Sequence, residues 1–416
     1  MADELEEFST LPSSLRERIE AVEEAIEEPP HPFIYRILID EGTKAVIEAY
    51  MRKKEALRTR EESIKEMSAC LGVRRVDLGL VEDVVDRFCS GELKVVGIDA
   101  GTNALNLEVA HIPLCSAVAA LCVDFDVADI IPSVVKEIPL WEDEIYPDWR
   151  ATVLGFGLQF DLVSKAIEKW RPDIIFFDGP FLYSQLMRGQ RRTDYWRDLE
   201  ETVEKGIRAL EFCIRTRTPI VGFVKRPEGC SVAKRLVEQG KLPRLVRDTV
   251  ALRWMKPGYY ISPLRYVGDQ GEVGPRDVYS RMAALYTELA RELGVEEEVV
   301  MVLFTYMNTG HTFPYKIELP EAFSQDVEEI MAIIFALRAT RGIPFPIYVA
   351  DSLTKVSNTT RDLFLLSLRA YIAEKVKAGE LDEEDIDMFM PRHGEVYGLR
   401  EEEPGVPRAH RRMSMR

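Results

Sequence analysis

The chain has 416 residues, 46% of them hydrophobic and 30% charged, with a formal net charge of −17. That length can bury a large core, and the composition is that of a globular protein. No apolar run reaches the eighteen or so residues a transmembrane helix needs, and so acidic a chain is not one that coats itself in nucleic acid.

The N-terminus, Met1-Ala2-Asp3-Glu4, lacks the basic and apolar regions of a signal peptide, so a cytoplasmic location is expected. The six cysteines form no C-x-x-C pair and the five histidines no metal-ligand spacing, which argues against zinc and against a disulfide framework. Charge is uneven along the chain. Residues 1–50 carry 13 acids against 4 bases, whereas residues 225–256 carry 9 bases against 3 acids. An acidic shell with one basic face suits a selective polyanion site.

In chain order, residues 11–28 read as a helix with Ser13 or Ser14 as N-cap, stopped by Pro29-Pro30. A second helix is expected from about Gly42 to Ala69, its back half a solvated alternation of Arg, Lys and Glu, and a third over Leu80–Phe88. From Lys94 the period becomes that of a sheet. Leu93–Asp99, Leu105–Ile112, Cys115–Asp124 and Ser133–Ile138 read as successive strands, with Gly101-Thr102-Asn103 as a turn. A helix over Trp149–Trp170, the strand Ile174–Asp178, a long helix over Tyr183–Arg215 and the strand Pro219–Val224 follow. A meander, then helix, strand, helix, strand, is the element order of an α/β domain with an RNase H-like core. Residues 226–290 read as a mostly helical insertion, Val299–Asn308 and Tyr315–Leu319 as a hairpin, and Ser324–Arg338 and the stretch from Ile347 as helices. The expected domains are a helical extension over 1–92, a core over 93–357, and a helical C-terminal extension with a basic tail over 358–416.

Two stretches carry the chemistry. Val95-Val96-Gly97-Ile98-Asp99 and Ile174-Ile175-Phe176-Phe177-Asp178 each run a buried strand into an aspartate. Strand-end carboxylates on stiff supports suit a hard divalent cation. Gly97–Thr102 reads equally as the phosphate loop of an actin-like ATPase or sugar kinase, or as a strand end with a turn-capping aspartate. The ATPase reading needs a second glycine-rich loop, which Asp178-Gly179-Pro180-Phe181 does not supply, because proline has no N–H and phenylalanine fills the space. Asp161 lies on the preceding helix, either as a third ligand or exposed on the neighbouring face. Lys225 follows a strand and can meet a phosphate or balance the acids. Arg188, Arg191, Arg192 and Arg197, interleaved with Tyr195 and Trp196, make a stripe suited to single-stranded nucleic acid, continued by Lys225 and Arg226. Asp351, after Pro344-Phe345-Pro346-Ile347-Tyr348-Val349-Ala350, stands at another element end.

In this order Gly97–Thr102, Asp161 ahead of Asp178-Gly179, Gly222-Phe223-Val224-Lys225, Lys316-Ile317-Glu318-Leu319-Pro320 and Gly342–Asp351 resemble the NurA family, archaeal and bacterial nucleases acting on DNA ends. The resemblance implies an RNase H-like nuclease core, Mn²⁺ or Mg²⁺ as cofactor, a toroidal homodimer, and the hexameric HerA translocase as partner. It also implies 5′–3′ exonuclease and single-strand endonuclease activity in double-strand break repair. By it Asp99, Asp161 and Asp178 are the metal-binding acids, and Asp351 stands where family members carry histidine or aspartate. Three departures stand out: Asp161 for the more usual glutamate, Ile343 where tyrosine is common, and Pro180 where serine is common. The reading is a metal-dependent deoxyribonuclease. Its rivals are the actin-like kinase and a catalytically inactive scaffold that guides DNA.

Overall fold

The structure is a computed structural model, and it describes residues 41–57, 61–135, 139–141, 146–183, 186, 193–266, 278–382 and 388–391. The helix expected over 11–28, Arg188, Arg191, Arg192, most of the acidic run 380–387 and the basic tail lie outside these residues. The chain divides into two compact units, residues 1–65 and 66–416, so the boundary expected at 92/93 falls inside the second unit. Helix α1 (Gly42–Leu57) lies in the first unit, with Val46, Ile47, Tyr50 and Met51 exposed. Helix α2 (Glu61–Cys70) follows.

The second unit is built on a ten-stranded mixed sheet. Strand β1 (Arg74–Arg75) and helix α3 (Leu78–Cys89), capped by Asp77 accepting from the N–H of Gly79, precede its centre. Strands β2 (Val95–Asn106), β3 (His111–Val123) and β4 (Asp126–Val134) form an antiparallel meander. Helix α4 (Pro147–Trp170) leads to β5 (Ile174–Asp178), which pairs parallel with β2, and helix α5 (Asp194–Thr216) leads to β6 (Ile220–Val224), parallel with β5. The order β6-β5-β2-β3-β4, with only the last two strands added in parallel, is the expected RNase H-like arrangement. Strand β5 shows why: Ile174, Ile175, Phe176 and Phe177 are all at most 1% exposed, as a strand covered on both faces must be.

Four local expectations differ. First, Gly101-Thr102-Asn103 is not a turn. Strand β2 runs unbroken through it, pairing Gly101 with Ser116 and Asn103 with Leu114. The glycines there serve close packing rather than reversal: a Cβ on Gly97 would lie 2.0 Å from the Pro346 carbonyl oxygen, and one on Gly101 2.0 Å from that of Thr354. With no loop at this place, the phosphate-cradle reading of Gly97–Thr102 loses its structural basis.

Second, β4 begins at Asp126 rather than Ser133. Asp124 and Phe125 both take positive φ, 51° and 55°, which closes a two-residue hairpin. Third, α5 begins at Asp194, where Thr193 caps it by accepting from the Trp196 N–H at 3.2 Å. Fourth, the insertion over 226–290 is not all helix. After α6 (Ser231–Glu238) and a single turn at Asp248–Ala251 come β7 (Tyr259–Tyr260) and β8 (Leu264–Arg265), both paired with β9 (Val302–Met307). Helix α7 (Val278–Glu292) precedes β9.

Strand β10 (Tyr315–Pro320) returns antiparallel between β9 and β6. Helix α8 (Val327–Ala336) follows. Helix α9 (Phe345–Thr354) lies over the sheet face bearing Gly97, Asp99 and Gly101, and α10 (Asn358–Lys377) is capped by Ser357. Helix α4 covers the other face, where Gly155 meets Thr102 and Ala100. No described helix is long and apolar enough to cross a membrane.

Candidate active site

Strand register brings the site together. Ile98 pairs with Phe177 across β2 and β5, so the next residues, Asp99 in the middle of β2 and Asp178 at the end of β5, come side by side. Asp178 pairs with Phe223 on β6, and Lys225 follows two positions later on the same face. From above, α9 supplies Asp351 and Thr354, and it can come that close only because Gly97 and Gly101 flank Asp99 without side chains.

One carboxylate oxygen from each of Asp99, Asp178 and Asp351 lies within 4.8 Å of the other two; among the described residues no other His, Cys, Asp or Glu group meets this spacing. Lys225 Nζ stands 2.7 Å from both Asp178 Oδ2 and Asp351 Oδ1. Asp99 Oδ1 accepts the Ala100 N–H at 2.7 Å, and its Oδ2 accepts the Thr354 hydroxyl at 3.1 Å.

Burial, then the charge of Asp178, pushes the Asp99 carboxyl up to about 8. Burial raises Asp178 as well, against the pull of Lys225. The two therefore share a proton, with Asp99 donating to its neighbour. Burial disfavours the Lys225 charge, but Asp178, Asp351 and Asp99 outweigh it and carry the ammonium up to about 12. Three carboxylates against one ammonium is an under-neutralised site. All its donors are hard oxygens, so it fits Mg²⁺ or Mn²⁺ far better than a soft metal.

The cluster opens into a cleft of about 950 Å³ whose second wall is α4, through Thr152, Phe156 and Gln159. The Gln159 carboxamide oxygen is buried and has no hydrogen-bond partner among the described residues.

The family model for the NurA domain matches residues 158–356. Over those residues the chain matches a NurA domain. The match includes Asp178, Lys225 and Asp351 and begins after Asp99, which β2 brings to them. Among solved structures, the NurA nuclease from Sulfolobus solfataricus is similar over 85% of this chain and 99% of its own, at 12% identity and a TM-score of 0.50. A NurA bound to dAMP and manganese is similar over 77% of this chain and 93% of its own, at 10% identity and a TM-score of 0.46. No curated protein matches the sequence.

Not every expected residue of the NurA domain meets at the cluster. Asp161 points elsewhere: its Oδ2 pairs with Lys205 of α5 at 3.3 Å, on the solvent-facing side of the α4–α5 pair, and it is not among the residues lining the cleft. Helical period explains this. Thr152, Phe156 and Gln159 share the cleft face, and Asp161, two positions past Gln159, is turned by about 200° from it. Arg197 is exposed and pairs with Asp194 at 3.0 Å, so it belongs to a local ion pair at the start of α5. Arg226 lines the cleft and is exposed.

Three supporting residues, Glu318 with its helper Tyr286, Lys316 and Thr354, carried no individual sequence signal. Glu318 is fully buried. Its Oε2 accepts the N–H groups of Phe181 at 2.7 Å and Leu182 at 3.2 Å, while its Oε1 takes the Tyr266 hydroxyl and lies 3.0 Å from Lys316 Nζ. Tyr286 donates to the Phe181 carbonyl at 3.0 Å. The turn after Asp178 is thus fixed through both kinds of backbone group, and Gly222, whose Cβ would lie 2.9 Å from the Gly179 oxygen, lets it approach β6. Lys316 reaches the cleft wall from beneath, over the ring of Tyr266. Thr354, the third, has been placed above.

Proposed function

We propose that this chain is a metal-dependent deoxyribonuclease. The observation that carries the reading is the meeting of Asp99, Asp178 and Asp351, from three separate elements, around one lysine at a strand end of an RNase H-like sheet. A kinase would need backbone N–H groups cradling phosphates, whereas here β2 is continuous and Pro180 follows Asp178. A scaffold would have no use for buried like charges that cost stability when no cation is bound.

Asp99, Asp178 and Asp351 would hold the cation, Mn²⁺ or Mg²⁺. When bound, it supplies Lewis-acid activation of water and charge stabilisation at the phosphodiester. Thr354 and the Ala100 N–H fix the Asp99 carboxylate, and the shared proton leaves the pair on binding. Lys225 holds Asp178 and Asp351 in the metal-free site and turns to the phosphate once its carboxylates are otherwise engaged. Glu318 keeps the Asp178 turn in place, and the Thr152–Gln159 wall of α4 limits water.

DNA, on this reading, runs along the basic 225–256 segment, Arg226 included, into the cleft; Arg188, Arg191 and Arg192, outside the described residues, are proposed as further phosphate contacts on their charge alone. The family resemblance supports a homodimer, the HerA translocase as partner, 5′–3′ exonuclease and single-strand endonuclease activity in DNA end repair, and work in the cytoplasm. The test is incubation of labelled single- and double-stranded DNA with the purified chain. Cleavage in Mn²⁺ that stops with chelator and in Asp178→Asn is expected. Cleavage that persists in chelator, or none with either metal, would overturn the reading.

A further inference from the structure

One residue on the cleft wall is built at a conformational cost, and its side chain has no hydrogen bond or ion pair among the described residues. Arg341 is exposed, lines the cleft beside Tyr348 and Asp351, and takes φ of +61°, a left-handed conformation that favours glycine or asparagine. Gly342 follows at φ +75°, so two successive left-handed residues make a hook ahead of α9.

The hook is over-determined. The Tyr315 hydroxyl donates to the Arg341 carbonyl at 2.7 Å, the Thr309 hydroxyl donates to the Gly342 carbonyl at 2.6 Å, and the Ala339 N–H donates to the Ile343 carbonyl at 2.7 Å. A side chain on Gly342 would meet the Thr309 hydroxyl at 2.3 Å. Strain of this kind persists where surrounding bonds enforce it, and it concentrates at sites that use it. What the hook presents is a guanidinium with no hydrogen bond or ion pair among the described residues, on the same rigid piece of backbone as Asp351. The other exposed guanidinium on the cleft wall, Arg226, is likewise unpaired among them.

We propose that Arg341 grips a non-scissile backbone phosphate of the DNA strand and so sets where along that strand the Asp99–Asp178–Asp351 cluster acts, a role that rests on the nuclease reading. Three carboxylates repel a polyanion, so the phosphate next to the reacting one needs a cation that the acids do not already claim. Lys225 is held by Asp178 and Asp351 and, once released, serves the reacting phosphate itself, and Lys316 is held by Glu318. Arg341 is not. Its planar fork can engage a phosphate through two parallel bonds, and the fixed backbone means little freedom is lost on doing so. Because this contact forms with substrate and transition state alike, it acts on KM more than on kcat.

The experiment compares wild type with Arg341→Gln, Arg341→Lys and Arg341→Gly in three measurements. These are cleavage of a single-stranded oligonucleotide in Mn²⁺, binding of the same oligonucleotide in Ca²⁺ across a salt series, and Mn²⁺ binding without DNA. In Arg341→Gln the KM should rise about tenfold with kcat little changed, the loss of one charge-assisted phosphate contact. The slope of log affinity against log salt should fall by about 0.7, as for one phosphate on a single strand. Arg341→Lys should recover part of the loss. Arg341→Gly should show the full DNA defect with a higher melting temperature, since glycine relieves the left-handed strain. Mn²⁺ affinity should be unchanged throughout. A wild-type KM and salt slope in Arg341→Gln would overturn the proposal. So would a loss of Mn²⁺ binding or of melting temperature in that variant, which would mark the residue as structural. If wild type binds DNA but cleaves none, the nuclease reading fails while the Ca²⁺ binding series still decides Arg341.

Discussion

The hydroxyl of Thr354 donates to Oδ2 of Asp99 across 255 positions of sequence, at 3.1 Å. The bond crosses from the last turn of α9 to the middle of β2, and the Thr354 carbonyl in turn accepts the Ser116 hydroxyl at 2.9 Å. Thr354 is therefore the strut that aims the most buried carboxylate of the cluster. Replacing it by valine keeps the shape and removes the donor. Mn²⁺ affinity of Thr354→Val should fall about tenfold, the usual effect of losing a group that orients a ligand. Titration calorimetry checks this, and an unchanged dissociation constant would remove the strut role.

The proton on Asp99 gives the metal-free protein a distinct pH dependence. Its folded carboxyl titrates near 8 against an ordinary value of 3.8. Between those values the folded state binds more protons than the unfolded state, so stability must fall as pH rises from about 4 to 8. Burial raises Asp178 in the same direction. Melting temperatures in chelator should decline over that window, and Asp99→Asn should flatten the decline. A wild-type curve that climbs from pH 5 to pH 8 would contradict the shared proton.

Gly101 is a sharper test of the packing than any of the acids. A methyl there would lie 2.0 Å from the Thr354 carbonyl oxygen, a backbone atom that cannot swing aside. Gly101→Ala should push α9 off the sheet, cost about 1–3 kcal/mol as overpacked substitutions do, and cut activity at least as much as Thr354→Val. Denaturant unfolding together with the DNA assay reads both effects. Full activity would mean that α9 need not lie where it does.

Asp161 and Asp178 should behave as opposites. Asp161 makes a partly exposed pair with Lys205, so Asp161→Asn should cost well under about 1 kcal/mol and leave cleavage within a few-fold of wild type. Asp178→Asn should lose cleavage outright. Loss of cleavage in both would return Asp161 to the metal site.

Those two residues also mark how far the sequence could be read. The strand ending in Asp178 was legible to the residue, because a run buried on both faces must be uniformly apolar and can stop only where it meets water. The parallel neighbours β2, β5 and β6 followed from the alternation of such runs with helices. Asp161 misled because a carboxylate near an apolar stripe looks buried until the phase of the helix is known, and that phase was set by the close fit of Gly155 against Ala100 and Thr102. Gly101 misled in a similar way, since glycine, threonine and asparagine signal a turn locally while the actual constraint came from a helix some 250 residues later. Glu318 was legible only as part of a strand. Its four partners lie at positions 181, 182, 266 and 316, and only the nearest is close in sequence.

The members of the cluster are drawn from positions 99, 178, 225 and 351, with the strut at 354. A ribosome makes them in that order, and the strands that carry or precede the first three can pair well before α9 is synthesised. A polypeptide cut short anywhere before residue 351 carries a sheet with two aspartates and a lysine but lacks the piece that closes the centre. On the nuclease reading, a copy that stops short of α9 lacks both Asp351 and Thr354 and should not cut DNA, so cutting power would arrive only when translation has passed α9.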